Sequence, residues 1–312
     1  MDPFDAILEL GGEPLRAAMA AVEARLREIT AIEEYSLATV AAGGKRLRPL
    51  LVFVAGLGAD AHEALCRAAS AVELIHSATL VHDDVLDDAP LRRGSQSVFA
   101  AAGRRAATAT GDLLFSSAFA ELARNGAIAQ LRALSAASAA LARGELMQRA
   151  DAWRADVTVE RYLERCELKT ARLFAAACEL GALVGNGPPL APFGRAVGLA
   201  FQLLDDVLDV TGPAERTGKR RGTDLLDGTV TLPLILARER DPELAQLDLR
   251  ALRTRADAGE VCDRIAATGA LASAKEHALA VVEQARRGLP VLPPAQQRAL
   301  ELVAEGVVER YA

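Results

Sequence analysis

The sequence predicts an all-α protein, one helical bundle spanning residues 1–312, and three observations predict it. Apolar residues make up 51% of the chain, yet Val, Ile and Thr rarely fall into the alternation of a half-buried strand. Apolar positions instead recur every three or four residues in one segment after another. The breaks between segments, such as Gly185-Asn186-Gly187-Pro188-Pro189 and Gly288-Leu289-Pro290, read as turns and not as domain linkers.

The first periodic run extends from Leu15 to Thr30, and others follow near 49–58, 62–88, 97–125, 127–152 and 158–185. The second half continues near 190–210, 224–240, 258–286 and 294–311. The runs 62–86 and 190–208 are apolar nearly all round, which predicts central helices with others packed about them. A net charge of −6 without a broad basic stripe argues against a nucleic-acid partner. No stretch reaches the roughly 18 uncharged apolar residues of a membrane span, and the first residues lack the order of a signal peptide. A cytoplasmic protein without a transmembrane segment is expected. Cys66, Cys166, Cys178 and Cys262 form no Cys-x-x-Cys pair, so they are read as buried, reduced and structural.

One acidic pentapeptide occurs twice, as Asp83-Asp84-Val85-Leu86-Asp87 and as Asp205-Asp206-Val207-Leu208-Asp209. Positions i, i+1 and i+4 of a helix fall within about 100° of one another, so each copy is expected to present three carboxylates on one face. Like charges this close destabilise an apolar helix unless a cation compensates them. Carboxylate oxygens are the ligands magnesium prefers, commonly one or two of them completed by substrate phosphates. Two such helices facing one another would clamp a diphosphate through shared metals. A single copy is equally well read as a solvated helix end, but two identical copies on strongly apolar helices are not explained by surface composition.

Cations accompany the acids. Gly43-Gly44-Lys45-Arg46-Leu47-Arg48-Pro49 places three of them just before a helix whose first turn suits Pro49. Arg fits phosphate oxygens as a fork and Lys as a point charge. Arg92-Arg93-Gly94 follows the first acidic copy closely enough to return to it. Lys219, in the loop 211–223, is either a lid residue or an exposed lysine. Lys169-Thr170 sits within a helical run, and Gln202 lies one turn before the second copy. All three read either as ordinary helix residues or, facing a cleft, as a diphosphate ligand (Lys169) and two oxygens aimed at a developing carbocation. His76, two turns before Asp83, is either a ligand or a core histidine.

Together these residues resemble the trans-isoprenyl diphosphate synthases of the polyprenyl synthetase family. The resemblance rests on the stretches 43–49, Leu-Val-His-Asp-Asp-Val-Leu-Asp-Asp at 80–88, Leu-Arg-Arg-Gly at 91–94 and Gly-Glu-Leu-Met-Gln at 144–148. Lys-Thr-Ala at 169–171, Phe-Gln-Leu-Leu-Asp-Asp at 201–206 and Gly-Thr-Asp-Leu-Leu at 222–226 complete it. It implies a helical fold around a central cavity, a homodimer, and three magnesium ions with bound diphosphate. It implies a magnesium-dependent prenyltransferase that adds isopentenyl diphosphate to an allylic diphosphate. By the same resemblance, Lys45, Arg48, His76 and Arg93 hold isopentenyl diphosphate, while Arg92, Lys169 and Lys219 grip the allylic diphosphate. Asp83, Asp87 and Asp205 are the nearest metal ligands, with Asp84, Asp206 and Asp209 supporting them. Thr229 departs from the pattern, since similar sequences carry Lys there, and Arg220 or Arg221 would supply the charge.

Ala78 and Thr79, about one turn before Asp83, replace the bulky aromatics that stop the tail in similar short-chain synthases. A medium- to long-chain product is therefore expected, its tail passing Leu74, Ile75 and Ala71, unless Phe115 or Phe119 closes the path and gives a farnesyl or geranylgeranyl synthase. A terpene cyclase would have little need of Lys45, Arg48 and Arg93, and a noncatalytic partner subunit would have lost acidic ligands that this chain keeps.

Overall fold

Helix follows helix because the 3.6-residue period persists almost from end to end. The computed structural model describes residues 3–92, 94–212 and 221–309. In chain order its helices are α1 (Pro3–Thr30), α2 (Glu34–Ala41), α3 (Leu47–Ala55), α4 (His62–Leu86), α5 (Val98–Ala123), α6 (Ile128–Asp151) and α7 (Val159–Cys166). A π-helical turn (Glu167–Ala171) leads into α8 (Arg172–Gly185), α9 (Ala191–Thr211), α10 (Thr223–Leu226), α11 (Leu232–Arg238) and α12 (Pro242–Gln246). After a 3₁₀ turn (Leu249–Ala251) come α13 (Arg255–Ala267), α14 (Ala270–Arg287) and α15 (Pro294–Glu309). Between α4 and α5 lies a two-residue hairpin, β1 (Leu91–Arg92) against β2 (Ser95–Gln96), with Arg92 opposite Ser95. The all-α expectation holds.

Several boundaries differ from the periodic reading. Helix α1 starts at Pro3 and not near Leu15, with a kink at Gly12 just before Pro14 that interrupts the apolar repeat. Helix α2 has no start signal of the usual kind, because its cap is Glu33, which accepts the backbone N–H groups of Tyr35 and Ser36. The run expected at 258–286 is two helices, since Gly269, at φ 77°, takes the left-handed conformation that ends α13 and opens α14. The run expected at 224–240 divides at Gly228, which packs against the Trp153 ring, and α11 restarts with Pro233 in its first turn.

The chain forms two compact units. The first comprises Met1–Ser138, Leu173–Gly194 and Leu289–Val303, and the second Ala139–Arg172, Arg195–Gly288 and Ala304–Ala312, so divisions fall inside α6, α9 and α15, at the first residue of α8, and in the connection between α14 and α15. In the first unit α4 packs against α1, α3 and α5. Helix α4 is long and apolar enough to span a membrane by composition alone, which the sequence reading did not expect, but 72% of its apolar window is buried in the protein. Gln296 of α15 donates to the carbonyls of Val54 and Ala55 at 3.0 Å each, satisfying the end of α3. In the second unit α11 packs on α14, α13 and α7. All four cysteines are free and buried. Burial holds the Cys66 and Cys262 thiols up at about 11 and Cys178 at about 12, which makes them poor nucleophiles at neutral pH.

Candidate active site

The first acidic motif closes α4. Asp83 is half-buried, Asp84 is buried, and Asp87 caps the helix in an exposed position. The three carboxylates do not share one face, because the step of about 100° from Asp83 turns Asp84 inward. There Arg92 of β1 donates from both Nε and Nη2 to Asp84 Oδ1, at 2.8 and 2.5 Å. A buried carboxylate needs such a charge-assisted partner. The pair also fastens the hairpin to the end of α4.

Of the three cations expected before a helix, only Lys45 and Arg46 precede α3, and Arg48 lies in its first turn. Lys45 Nζ stands 4.8 Å from the centre of the Phe4 ring, and the Arg48 guanidinium 4.4 Å from that of Phe174. These cation–π contacts hold the two side chains by an aromatic face. Arg46 has a different task. It is buried, in the left-handed conformation, and donates to Glu23 at 2.5 Å, to Glu73 at 2.6 Å and to the Val40 carbonyl at 2.7 Å. It therefore ties α1, α2 and α4 to the start of α3 and sets where Lys45 and Arg48 stand. His76 is half-buried in α4. Arg93 lies outside the described residues.

The second motif lies on α9 and repeats the pattern. Asp205 and Asp209 are half-buried, and Asp206 is buried. The Tyr162 hydroxyl donates to Asp206 Oδ2 at 2.6 Å, and Gln202 Nε2 donates to Asp206 Oδ1 at 2.8 Å. Burial first, and then the charge of Asp224, push the Asp206 carboxyl up to about 7, against the lowering effect of these two donors and of Arg165. Both oxygens accept hydrogen bonds, which is the pattern of the ionised form. Asp209 Oδ2 accepts the Asp224 backbone N–H at 3.2 Å, and the Asp209 carbonyl accepts that of Gly222 at 2.8 Å, so the 222–224 segment folds back onto α9.

Lys169 and Thr170 lie in the π-helical turn, where one extra residue rotates side chains relative to a regular helix. Lys169 Nζ donates to Glu145 Oε2 of α6 at 2.5 Å, and the Thr170 hydroxyl donates to Gln202 Oε1 at 2.7 Å. Burial pushes the Glu145 carboxyl up, but the charge and hydrogen bond of Lys169, joined by those of Arg149, together hold it below its ordinary value. A Cβ added at Gly144 would lie 2.5 Å from the Lys169 backbone nitrogen and 2.8 Å from its Cα. Helix α6 thus approaches the turn this closely only with glycine there. Gly144→Ala is expected to lower stability by about 1–3 kcal/mol, read from denaturant unfolding, and a variant as stable as the parent would contradict the close approach. Lys219 and Arg220 lie outside the described residues. Arg221 donates to the Val210 carbonyl and to Asp263, at 2.6 Å each.

The sequence model of the Polyprenyl synthetase family matches residues 29–268. The chain belongs to this family. Octaprenyl diphosphate synthase of Escherichia coli is 34% identical across 98% of this chain and 99% of its own length. Heptaprenyl diphosphate synthase component 2 of Geobacillus stearothermophilus is 43% identical over 230 residues, covering 70% of this chain and 72% of the relative. Among solved structures, a polyprenyl synthase of Caulobacter crescentus complexed with calcium and isoprenyl diphosphate aligns with a TM-score of 0.89 and 34% identity over 99% of this chain and 98% of the other. This polyprenyl synthetase is a prenyltransferase.

The polyprenyl synthetase's carboxylates suit magnesium. Asp83 with Asp87, and Asp205 with Asp209, stand half-buried or exposed, and each pair offers the hard oxygens that magnesium accepts when phosphates and waters complete its shell. Among the described residues no three acidic, His or Cys side chains enclose a ready cation position. Sequence reasoning gave no role to Tyr162, Glu145 or Asp224, and it grouped Arg46 with the phosphate-facing cations, whereas Arg46 is buried against Glu23, Glu73 and the Val40 carbonyl. Glu145, Asp224 and Arg46 lie inside stretches that carry the resemblance, whereas Tyr162 left no signal beyond being an aromatic on a helix.

Proposed function

We propose that this polyprenyl synthetase condenses isopentenyl diphosphate head-to-tail with an allylic diphosphate, releasing diphosphate and a longer trans-polyprenyl diphosphate. One observation carries the reading: each acidic motif keeps its central carboxylate inside the protein and leaves its first and last carboxylates toward the surface. Magnesium, three ions in our reading, supplies the charge that binds the allylic diphosphate and steadies it as it departs. Asp83, Asp87, Asp205 and Asp209 are its ligands, and Asp84 and Asp206 support them from within.

Lys45, Arg48, His76 and Arg93 hold isopentenyl diphosphate, while Arg92, Lys169 and Lys219 hold the allylic diphosphate. Lys169 reaches it by sharing or leaving Glu145. Cleavage of the allylic carbon–oxygen bond sends its electron pair to the diphosphate and leaves an allylic cation. The isopentenyl double bond attacks that cation, and the released diphosphate takes the proton whose loss regenerates an allylic double bond. The oxygens of Thr170 and Gln202 face the cation with the negative ends of their dipoles, and exclusion of water keeps it from being quenched. The chain works in the cytoplasm as one functional domain and as a homodimer. One relative is named component 2 of its synthase, so activity of the purified chain alone tests self-sufficiency.

Product length follows from α4. Ala78 is buried and Thr79 half-buried, so the turn before Asp83 carries no bulky stop. Phe115 stacks on His82 with ring centres 5.7 Å apart and lies beside the motif. We read the tail as continuing past Ala71, Leu74 and Ile75. Incubation with magnesium, labelled isopentenyl diphosphate and dimethylallyl, geranyl, farnesyl or geranylgeranyl diphosphate is expected to give products beyond geranylgeranyl diphosphate. A stop at farnesyl or geranylgeranyl diphosphate would contradict the open path, and no incorporation with any primer would contradict the reaction.

A further inference from the structure

We propose that Tyr162 is a positioning residue for prenyl transfer: through Asp206 it fixes the Gln202 amide with its oxygen toward Thr170. The inference rests on the reaction proposed above and gives Asp206 a task other than direct metal ligation. Tyr162 is among the largest fully buried side chains, and Asp206 and Thr170 are buried with it. Three hydrogen bonds run in series, from the Tyr162 hydroxyl to Asp206 Oδ2 at 2.6 Å, from Gln202 Nε2 to Asp206 Oδ1 at 2.8 Å, and from the Thr170 hydroxyl to Gln202 Oε1 at 2.7 Å.

Donor chemistry gives this series one direction. A carboxylate only accepts, so Gln202 must offer it the NH₂ end, and the amide oxygen is thereby turned to Thr170. Thr170 in turn donates its single proton to that oxygen. What remains unsatisfied on both groups is lone-pair density, the polarity that an allylic cation requires. Both Asp206 oxygens accept from within the protein, and burial strengthens each bond. Tyr162 lies on α7, Thr170 in the following π-helical turn, and Asp206 and Gln202 on α9. The series therefore also fixes the turn that carries Lys169 relative to the acidic motif of α9. A Phe at 162 would keep the packing and remove only the donor.

The test is a double-mutant cycle. Tyr162→Phe is expected to lower kcat by on the order of tenfold or more, the scale of a misplaced catalytic group, with KM for both diphosphates changed by less than about twofold. The magnesium concentration giving half-maximal rate is expected to stay unchanged. In a Gln202→Leu background the same substitution should cost less than about twofold, because the group it positions is gone. Additive costs, or a raised magnesium requirement, would overturn the proposal while leaving the reaction intact. Asp206→Asn, run in parallel, offers an amide that no longer dictates the Gln202 orientation, and should reproduce the kcat loss even if the Tyr162 variant unfolds. Selective ¹⁵N-glutamine labelling reads the coupling without turnover. The Gln202 side-chain NH₂ protons should lose protection in Asp206→Asn or Tyr162→Phe, and unchanged protection in a folded variant would overturn the proposal even if the reaction assignment fails.

Discussion

Asp83→Ala and Asp205→Ala are each expected to lower kcat/KM by roughly a thousandfold or more, the scale of losing an electrostatic contact made in the transition state. Both carboxylates are half-buried on helices whose packing is carried by apolar side chains, such as Ala78, Val81, Leu203 and Leu204. The unfolding midpoint should therefore change little. Steady-state kinetics on well-folded variants checks this, and undiminished turnover in either would refute the role given to the acidic motifs. The neighbouring Asp84→Ala should behave differently. It removes the buried acceptor of Arg92, so it should loosen the hairpin and affect stability as well as rate.

Arg46→Met is expected to lower stability by about 3–5 kcal/mol, because it leaves a buried carboxylate without its cation. Glu73 is the partner that matters, at 4% side-chain exposure, whereas Glu23 at 36% can turn to water. Adding Glu73→Gln to the variant should restore part of the loss, since the uncompensated charge is then gone. Arg46→Lys should recover little, because one ammonium does not reproduce the fork that reaches Glu23, Glu73 and the Val40 carbonyl together. Urea unfolding of the four proteins decides it. A loss under about 1 kcal/mol in Arg46→Met would show that the network is not what holds the start of α3. The KM for isopentenyl diphosphate should rise in the same variants, since Lys45 and Arg48 flank Arg46.

Much of this molecule was legible in its sequence because its two strongest signals are periodic. The apolar repeat gave α4, α6 and α9 within a few residues, since α4 and α9 are apolar on nearly every side and α6 buries one face at the helical period. It failed where a helix begins or bends for reasons of single residues, at the Glu33 cap of α2, the Gly12 kink of α1 and the Gly269 break. The acidic and basic residues of the candidate site stood out because buried or clustered charge is costly and so demands a purpose. Their division of labour did not. Spacing put Asp83 and Asp84 on one face, and only tertiary contacts reveal that Arg92, Tyr162 and Gln202 draw the central carboxylates inward. Lys169 and Thr170 were picked out as a pair, but the π-helical turn that presents them and the Gly144 approach depend on packing.

The most direct test of the central claim, that the acidic motifs hold an allylic diphosphate through magnesium, is calorimetric binding of an unreactive farnesyl thiodiphosphate with and without the ion. Magnesium-dependent binding that weakens by at least about tenfold in both Asp83→Ala and Asp205→Ala, a loss of roughly 1.4 kcal/mol, is the predicted result. Equal affinity in the presence of a chelator, or unaltered affinity in both variants, would contradict it.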